Sequence, residues 1–184
     1  MSNTVLLLID LQRDFLEPDG RLPVPPDCAA RVIDVANRMI ERARKSGWTM
    51  IWIKNEFRRR QWIGNYFRNY SALEGSRGAE IDPRIACTTD MAMVIKCEAN
   101  GFSNPQLEVV LKKAAPERVI VLGLMTDECV QETTRGAVCR GYRVELVEDG
   151  VATMDEAGQQ KGLASMRECG AQLKSSKDIL GETG

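Results

Sequence analysis

Apolar residues in this chain fall into two alternating patterns. Thr4–Ile9, Trp48–Ile53, Met91–Ile95, Arg118–Leu122 and Arg143–Val147 are short, mostly apolar runs. Runs of this kind suit strands buried on both faces, as in a parallel sheet. Between them lie longer stretches with helical spacing. In Asp27–Lys45, the residues Val32, Val35, Ala36, Met39, Ile40 and Ala43 recur every three or four positions. Asp27 stands where an N-cap is expected, and Gly47 follows the last turn. Asn104–Ala115 has Pro105 in its first turn, Thr126–Arg140 is closed by Gly141, and Asp155–Cys169 forms a last helix. Ala171–Leu173 reads as an edge strand.

The alternation of strands and helices predicts an α/β fold: a doubly wound, mostly parallel sheet with helices on both faces. No repeat or linker interrupts it, so residues 1–184 read as one domain. Lys54–Arg84 fits neither pattern and carries Gly64, Gly75, Gly78 and Pro83. Long irregular connections in compact domains are often functional. The polar tail, Ser175–Gly184, reads as the one stretch without fixed structure. Ligands of open α/β sheets bind beyond the carboxyl ends of the strands, which directs attention to the residues found there.

Three of those residues are reactive. Asp10 follows the first strand, Lys96 follows the third, and Cys129 lies in the first turn of the helix after the fourth. With Thr126 as cap, Cys129 occupies a helix N-terminus, where partial positive charge and free N–H groups favour a thiolate and can hold an oxyanion. Position alone equally allows a buried, inert cysteine. Asp10 reads either as a turn residue or as a general base beside the thiol. Lys96 reads as a surface lysine or as a buried ammonium needing a carboxylate partner. Cys97 is the rival nucleophile, but alternation along a strand turns it away from whatever Lys96 faces.

Composition sharpens this choice. The chain has no histidine, which excludes Ser-His-Asp and Cys-His catalysis and removes the commonest zinc ligand. Any hydrolase built here must move protons with another group. The six cysteines (Cys28, Cys87, Cys97, Cys129, Cys139 and Cys169) form no C-x-x-C pair and no disulfide framework. They read as reduced thiols of a cytoplasmic protein. A net charge of −1 gives no field to attract nucleic acid or an anionic membrane. The basic run Arg58-Arg59-Arg60 reads first as a solvated loop. Val5–Ile9 is too short for a signal core or a membrane span.

Taken together, four segments resemble the isochorismatase-like cysteine hydrolases. Leu8-Ile-Asp10-Leu-Gln-Arg-Asp-Phe15 resembles their first-strand motif, and Val94-Ile-Lys96 with Gly101-Phe102 their lysine motif. Val121-Leu-Gly123-Leu-Met-Thr126-Asp-Glu-Cys129-Val130-Gln-Glu-Thr133 resembles their nucleophile motif, and Gly141-Tyr142-Arg-Val144 with Glu148-Asp149 the stretch after it. The matches fall in order across nearly the whole chain. The resemblance implies a three-layer α/β/α fold and an Asp10–Lys96–Cys129 triad, with Asp10 as base, Lys96 as orienting cation and Cys129 as covalent nucleophile. It implies a cis peptide between Leu124 and Met125, with the N–H groups of Met125 and Cys129 as oxyanion hole. It also implies a homodimer or homotetramer.

The sequence departs from the family pattern as well. Nicotinamidase relatives hold a metal through an aspartate and histidines after the second strand, where this chain has Lys54-Asn55-Glu56-Phe57. No metal and no cofactor are expected. Cys97-Glu-Ala-Asn100 replaces the usual small-residue run. Retention of Cys129 favours hydrolysis of a C–N bond in a small amide, ureido or N-carbamoyl compound. Vinyl ether hydrolysis of the isochorismatase type and a non-catalytic binding protein are the alternatives. Phe15, Phe57 and Trp62 are candidate pocket walls, Asn55 a donor to a urea-like group, and Arg58, or Arg59 or Arg60, a receiver for a substrate carboxylate.

Overall fold

The computed structural model describes residues 3–87 and 91–182. Its central strand, β1 (Thr4–Ile9), is buried along its whole length. Leu6 and Leu8 enter one apolar layer, while Val5, Leu7 and Ile9 enter the other. A strand covered on both faces distributes successive residues in this way. The chain continues through α1 (Arg13–Leu16), α2 (Pro26–Ser46), β2 (Thr49–Asn55), α3 (Trp62–Phe67), β3 (Ala92–Lys96), α4 (Pro105–Ala114) and β4 (Arg118–Leu124). It then forms α5 (Gln131–Val138), β5 (Val144–Ala152), α6 (Glu156–Glu168), β6 (Gln172–Lys174) and α7 (Ser176–Leu180).

The strands run in the order β3-β2-β1-β4-β5-β6, and every pairing is parallel. The expected α/β architecture is therefore present, with a sheet that is wholly rather than mostly parallel. The order reverses between β1 and β4. At such a switch point the connections leave in opposite directions, and a crevice opens beyond the strand ends.

Helix α2 covers one face. All six residues of its predicted stripe are buried, and the helix ends at Gly47, whose φ of +66° is left-handed. It begins two residues earlier than an N-cap at Asp27 predicts. Pro26 occupies the first helical position, where its missing N–H is no loss, and Asp27 lies inside the first turn, where its charge favours the helix dipole instead of capping it. The other face is covered from α4, α5 and α6 by Leu107, Leu111, Ala137, Leu163 and Met166.

Three stretches differ from the sequence expectation. Strand β5 runs for 9 residues through Glu148-Asp149-Gly150, which read as its end. A register shift between Val121 and Gly123 of β4 lets Val151 and Ala152 rejoin the ladder. Gly123 is required there: its φ is +133°, and a Cβ would sit 2.0 Å from the Ile9 carbonyl oxygen. Lys54–Arg84 holds α3 and a 3-10 turn at Arg77–Ala79. Of the supposedly unstructured tail, Ser176–Leu180 folds as α7, while Thr183 and Gly184 lie outside the described residues. Ser175 and Asp178 form a reciprocal capping box, the Ser176 hydroxyl donates to Asp149 at 2.6 Å, and Ile179 is buried. Among the described residues no helix is long and apolar enough to cross a membrane.

Candidate active site

Asp10, the residue after β1, is held in a left-handed turn with φ of +53°, and its N–H donates to the Ile53 carbonyl at 2.8 Å. Lys96 is the last residue of β3 and is fully buried. Its Nζ donates to Asp10 Oδ2 at 2.9 Å and to Cys129 Sγ at 3.2 Å. Asn55, the last residue of β2, makes a second bridge, its Nδ2 lying 2.8 Å from the same carboxylate oxygen and 3.4 Å from the same sulfur. Three side chains far apart in sequence thus meet at the switch point, with Asn55 as a fourth. Asp10, Asn55 and Cys129 line the floor of a cavity of about 570 Å³, with the buried Lys96 bonded to the first and last of them.

Cys129 is presented by a wide π turn, Thr126–Val130, that precedes α5, with Met125 at its N-cap position. The bond between Leu124 and Met125 is cis, as the resemblance implies. Thr126 does not cap. It is buried, and its hydroxyl donates to Gln159 Oε1 of α6 at 2.7 Å, so it ties the turn to the neighbouring helix instead.

The electrostatics differ from the simple helix-start argument. Burial pushes the Cys129 thiol up to about 12, the negative charge and hydrogen bond of Asp10 push the same way, and Lys96 only partly opposes them. The resting sulfur keeps its proton rather than ionising spontaneously. Asp10 is also raised, because burial outweighs the stabilising charge of Lys96. Lys96 is raised in turn: burial disfavours its charge, but the Asp10 carboxylate, joined by Cys129 when the thiol ionises, prevails. A protonated thiol, a carboxylate with elevated basicity and a fixed ammonium can pass a proton from sulfur to oxygen over one hydrogen bond. Asp10 Oδ1 and Asn55 Oδ1 are buried without a partner.

Of the other predicted contacts, Phe15, Asn55 and Phe57 line the cavity, as does Met125. Asn55 is already committed to Asp10 and Cys129 through its amide nitrogen, and its buried oxygen has no partner. Arg58 and Trp62 do not line the cavity. Arg58 borders a separate shallow depression with Ile95 and Ser103, and Trp62 stands 70% exposed on α3. The segment after β2 borders the cavity through Phe57, Phe67, Arg68 and Ser71, while Arg58 and Trp62 of the same segment are exposed away from it. Cys97 lines the cavity edge, because strand alternation stops at Lys96 and the chain bends directly afterwards.

Two contributors escaped the sequence reading. Gln12 is fully buried. Its Nε2 donates to the carbonyls of Asn55 and Ala79 at 2.8 and 2.9 Å, and its Oε1 accepts from the Asn55 N–H at 2.9 Å. It fixes the residue that bridges carboxylate and thiol. Arg68, just past α3, lines the cavity with its guanidinium carbon 3.8 Å from the centroid of the Phe57 ring. Among the described residues no three His, Cys, Asp or Glu side chains are grouped to hold a metal ion. Glu56, just past the end of β2, is paired with Lys54 at 2.6 Å.

The site is thus an acid, a lysine and a cysteine converging at the switch point of a wholly parallel six-stranded α/β sheet. An isochorismatase-like hydrolase of Alkaliphilus metalliredigens superposes with a TM-score of 0.89 at 22% identity, each chain covered to 98%. The N-carbamoylsarcosine amidase of Thermoplasma acidophilum superposes with a TM-score of 0.82 at 25% identity, over 95% of this chain and 96% of that one. A probable inactive nicotinamidase of Arabidopsis thaliana is 26% identical over 180 residues, covering 92% of this chain and 91% of the relative. The isochorismatase domain profile matches residues 4–178, and the chain belongs to the isochorismatase family of hydrolases.

Proposed function

We propose that this protein is a metal-independent cysteine hydrolase that cleaves the C–N bond of a small amide, ureido or N-carbamoyl compound. The observation that carries the reading is the double bridge: Lys96 Nζ and Asn55 Nδ2 each contact both the Asp10 carboxylate and the Cys129 sulfur on the cavity floor. Asp10 takes the thiol proton as sulfur attacks the carbonyl carbon. Lys96 stays charged and stabilises whichever of the two groups is negative. The backbone N–H groups of Met125 and Cys129 receive the oxyanion. On collapse of the tetrahedral species the C–N bond breaks, and Asp10 returns its proton to the departing nitrogen. An acyl or carbamoyl thioester remains on Cys129. Water then attacks with Asp10 again as base, the C–S bond breaks, and the thiol recovers its proton.

Ammonia release from a panel of ureido acids, N-carbamoyl amino acids and primary amides tests the reading. The intact protein is expected to turn over at least one member, and Cys129→Ala to lose roughly a thousandfold or more in kcat, as removal of an attacking group does. Full activity of Cys129→Ala would sink the nucleophile and favour direct hydrolysis of an ether-type substrate.

A further inference from the structure

The cavity has a built feature that the reaction itself does not use. Arg68 is the cationic side chain lining it among the described residues, and no carboxylate lies within ion-pair distance of it there. One guanidinium nitrogen donates to Asn65 Oδ1 at 3.2 Å, while its Nε is buried without a partner. Ser71 Oγ, on the same cavity and 1% exposed at the residue level, is also unpartnered. Leaving buried donors such as the Arg68 Nε and the Ser71 hydroxyl unmatched costs free energy. Partial burial lowers the Arg68 pKa, and Arg68 and Cys129 line the same cavity. The Phe57 ring beneath it fixes the guanidinium plane. The carboxylates nearby are accounted for differently: Asp127 accepts from Thr153 at 2.5 Å, Asp155 caps α6, and Glu98 and Glu128 are exposed at the mouth.

We propose that Arg68, with Ser71 beside it, receives a carboxylate of the substrate, so that the compound cleaved at Cys129 is an acid carrying the amide or ureido group rather than a neutral amide. The inference rests on the reading of Cys129 as nucleophile. A guanidinium presents paired N–H donors in the geometry of a carboxylate, and an anion bound there completes the donors left open on this wall. Arg68 determines specificity; it makes and breaks no bond.

Alkylation at Cys129 tests this without requiring turnover. Iodoacetate and 3-bromopropionate are compared with iodoacetamide and 3-bromopropionamide, and the modified Cys129 peptide is quantified by mass spectrometry. The ratio of acid to amide rates is referred to that of a free thiol in the same buffer. A charge-assisted contact predicts a ratio roughly tenfold to a hundredfold above the free-thiol value for at least one chain length. Arg68→Met, which keeps an apolar stem on Phe57, is expected to return the ratio of acid to amide rates to the free-thiol value. Arg68→Lys is expected to keep part of it. A ratio that is not elevated, or one that survives Arg68→Met, overturns the proposal. The two readings fail separately: loss of turnover in Cys129→Ala speaks to the nucleophile, while the rate ratio, measured at whatever absolute rate the sulfur reacts, speaks to Arg68.

Discussion

Lys96→Met is the most revealing single perturbation of the cavity floor. The Lys96 and Asp10 side chains are 0% and 2% exposed with their charged atoms 2.9 Å apart, so solvent screening does not discount the pair. Removing one partner of a buried ion pair costs about 3–5 kcal/mol, because the remaining charge is left uncompensated. Methionine fills a similar volume, so little of that cost is cavity. The deficit should depend on pH. Asp10 is already raised above its ordinary value by burial, and without Lys96 only Asn55 and the thiol oppose burial, so its pKa climbs further. A carboxyl whose folded pKa exceeds its unfolded value binds protons more tightly when folded. Stability therefore falls as pH rises from the unfolded pKa to the folded one, and is flat above it. Each further unit of elevation is worth about 1.4 kcal/mol. Urea unfolding under reducing conditions, followed by tryptophan fluorescence at about pH 5 and about pH 8, is expected to show a deficit of several kcal/mol at the higher pH and at least about 1 kcal/mol less at the lower. A deficit under about 1 kcal/mol, or one equal at both pH values, would refute the claim that Lys96 compensates a buried Asp10 carboxylate.

Other expectations follow from the same geometry. Asn55→Ala should lower kcat by roughly 10–100-fold with KM little changed, since the amide aligns carboxylate and thiol rather than holding substrate; steady-state kinetics on any turned-over compound decides it, and a KM effect alone would contradict it. The acid limb of kcat/KM should lie above the ordinary aspartate value of about 3.9, because activity is lost as falling pH protonates the raised Asp10; a limb at or below that value would argue against Asp10 as base. Gly123→Ala should give little soluble, folded protein, because its Cβ would meet backbone at 2.0 Å; wild-type melting behaviour would show that β4 relaxes. Ser175→Ala should cost about 0.5–2 kcal/mol through loss of the α7 cap, and an unchanged urea midpoint would make that helix incidental to stability.

The layers and the reactive floor were legible because they rest on local rules. Apolar runs such as Val5–Ile9 announce strands buried on both faces, and a reactive residue directly after such a run must stand at a strand end. The roles of Asn55, Gln12 and Arg68 depend on long-range neighbours that no local pattern encodes. Asn55 is one residue from Glu56 and two from Phe57, yet it points at Asp10, because β2 continues two residues past its last apolar position. The arginine facing the cavity is Arg68, not Arg58, because α3 intervenes and turns the chain back towards Phe57. The tail looked unstructured by composition, and its order comes from Asp149, 27 residues upstream of Ser176. A free-cysteine argument from helix position missed burial and the neighbouring charge of Asp10, which keep the thiol protonated at rest.

The central claim is that sulfur, activated by Asp10 on a floor held by Lys96, becomes covalently linked to half of the substrate. Rapid acid quench of a turned-over amide or ureido compound, followed by intact-mass and peptide mass spectrometry, addresses it directly. The account predicts a transient adduct with the mass of the acyl or carbamoyl fragment on the peptide carrying Cys129. Product formation with no adduct at any time, or an adduct confined to Cys97, would contradict it.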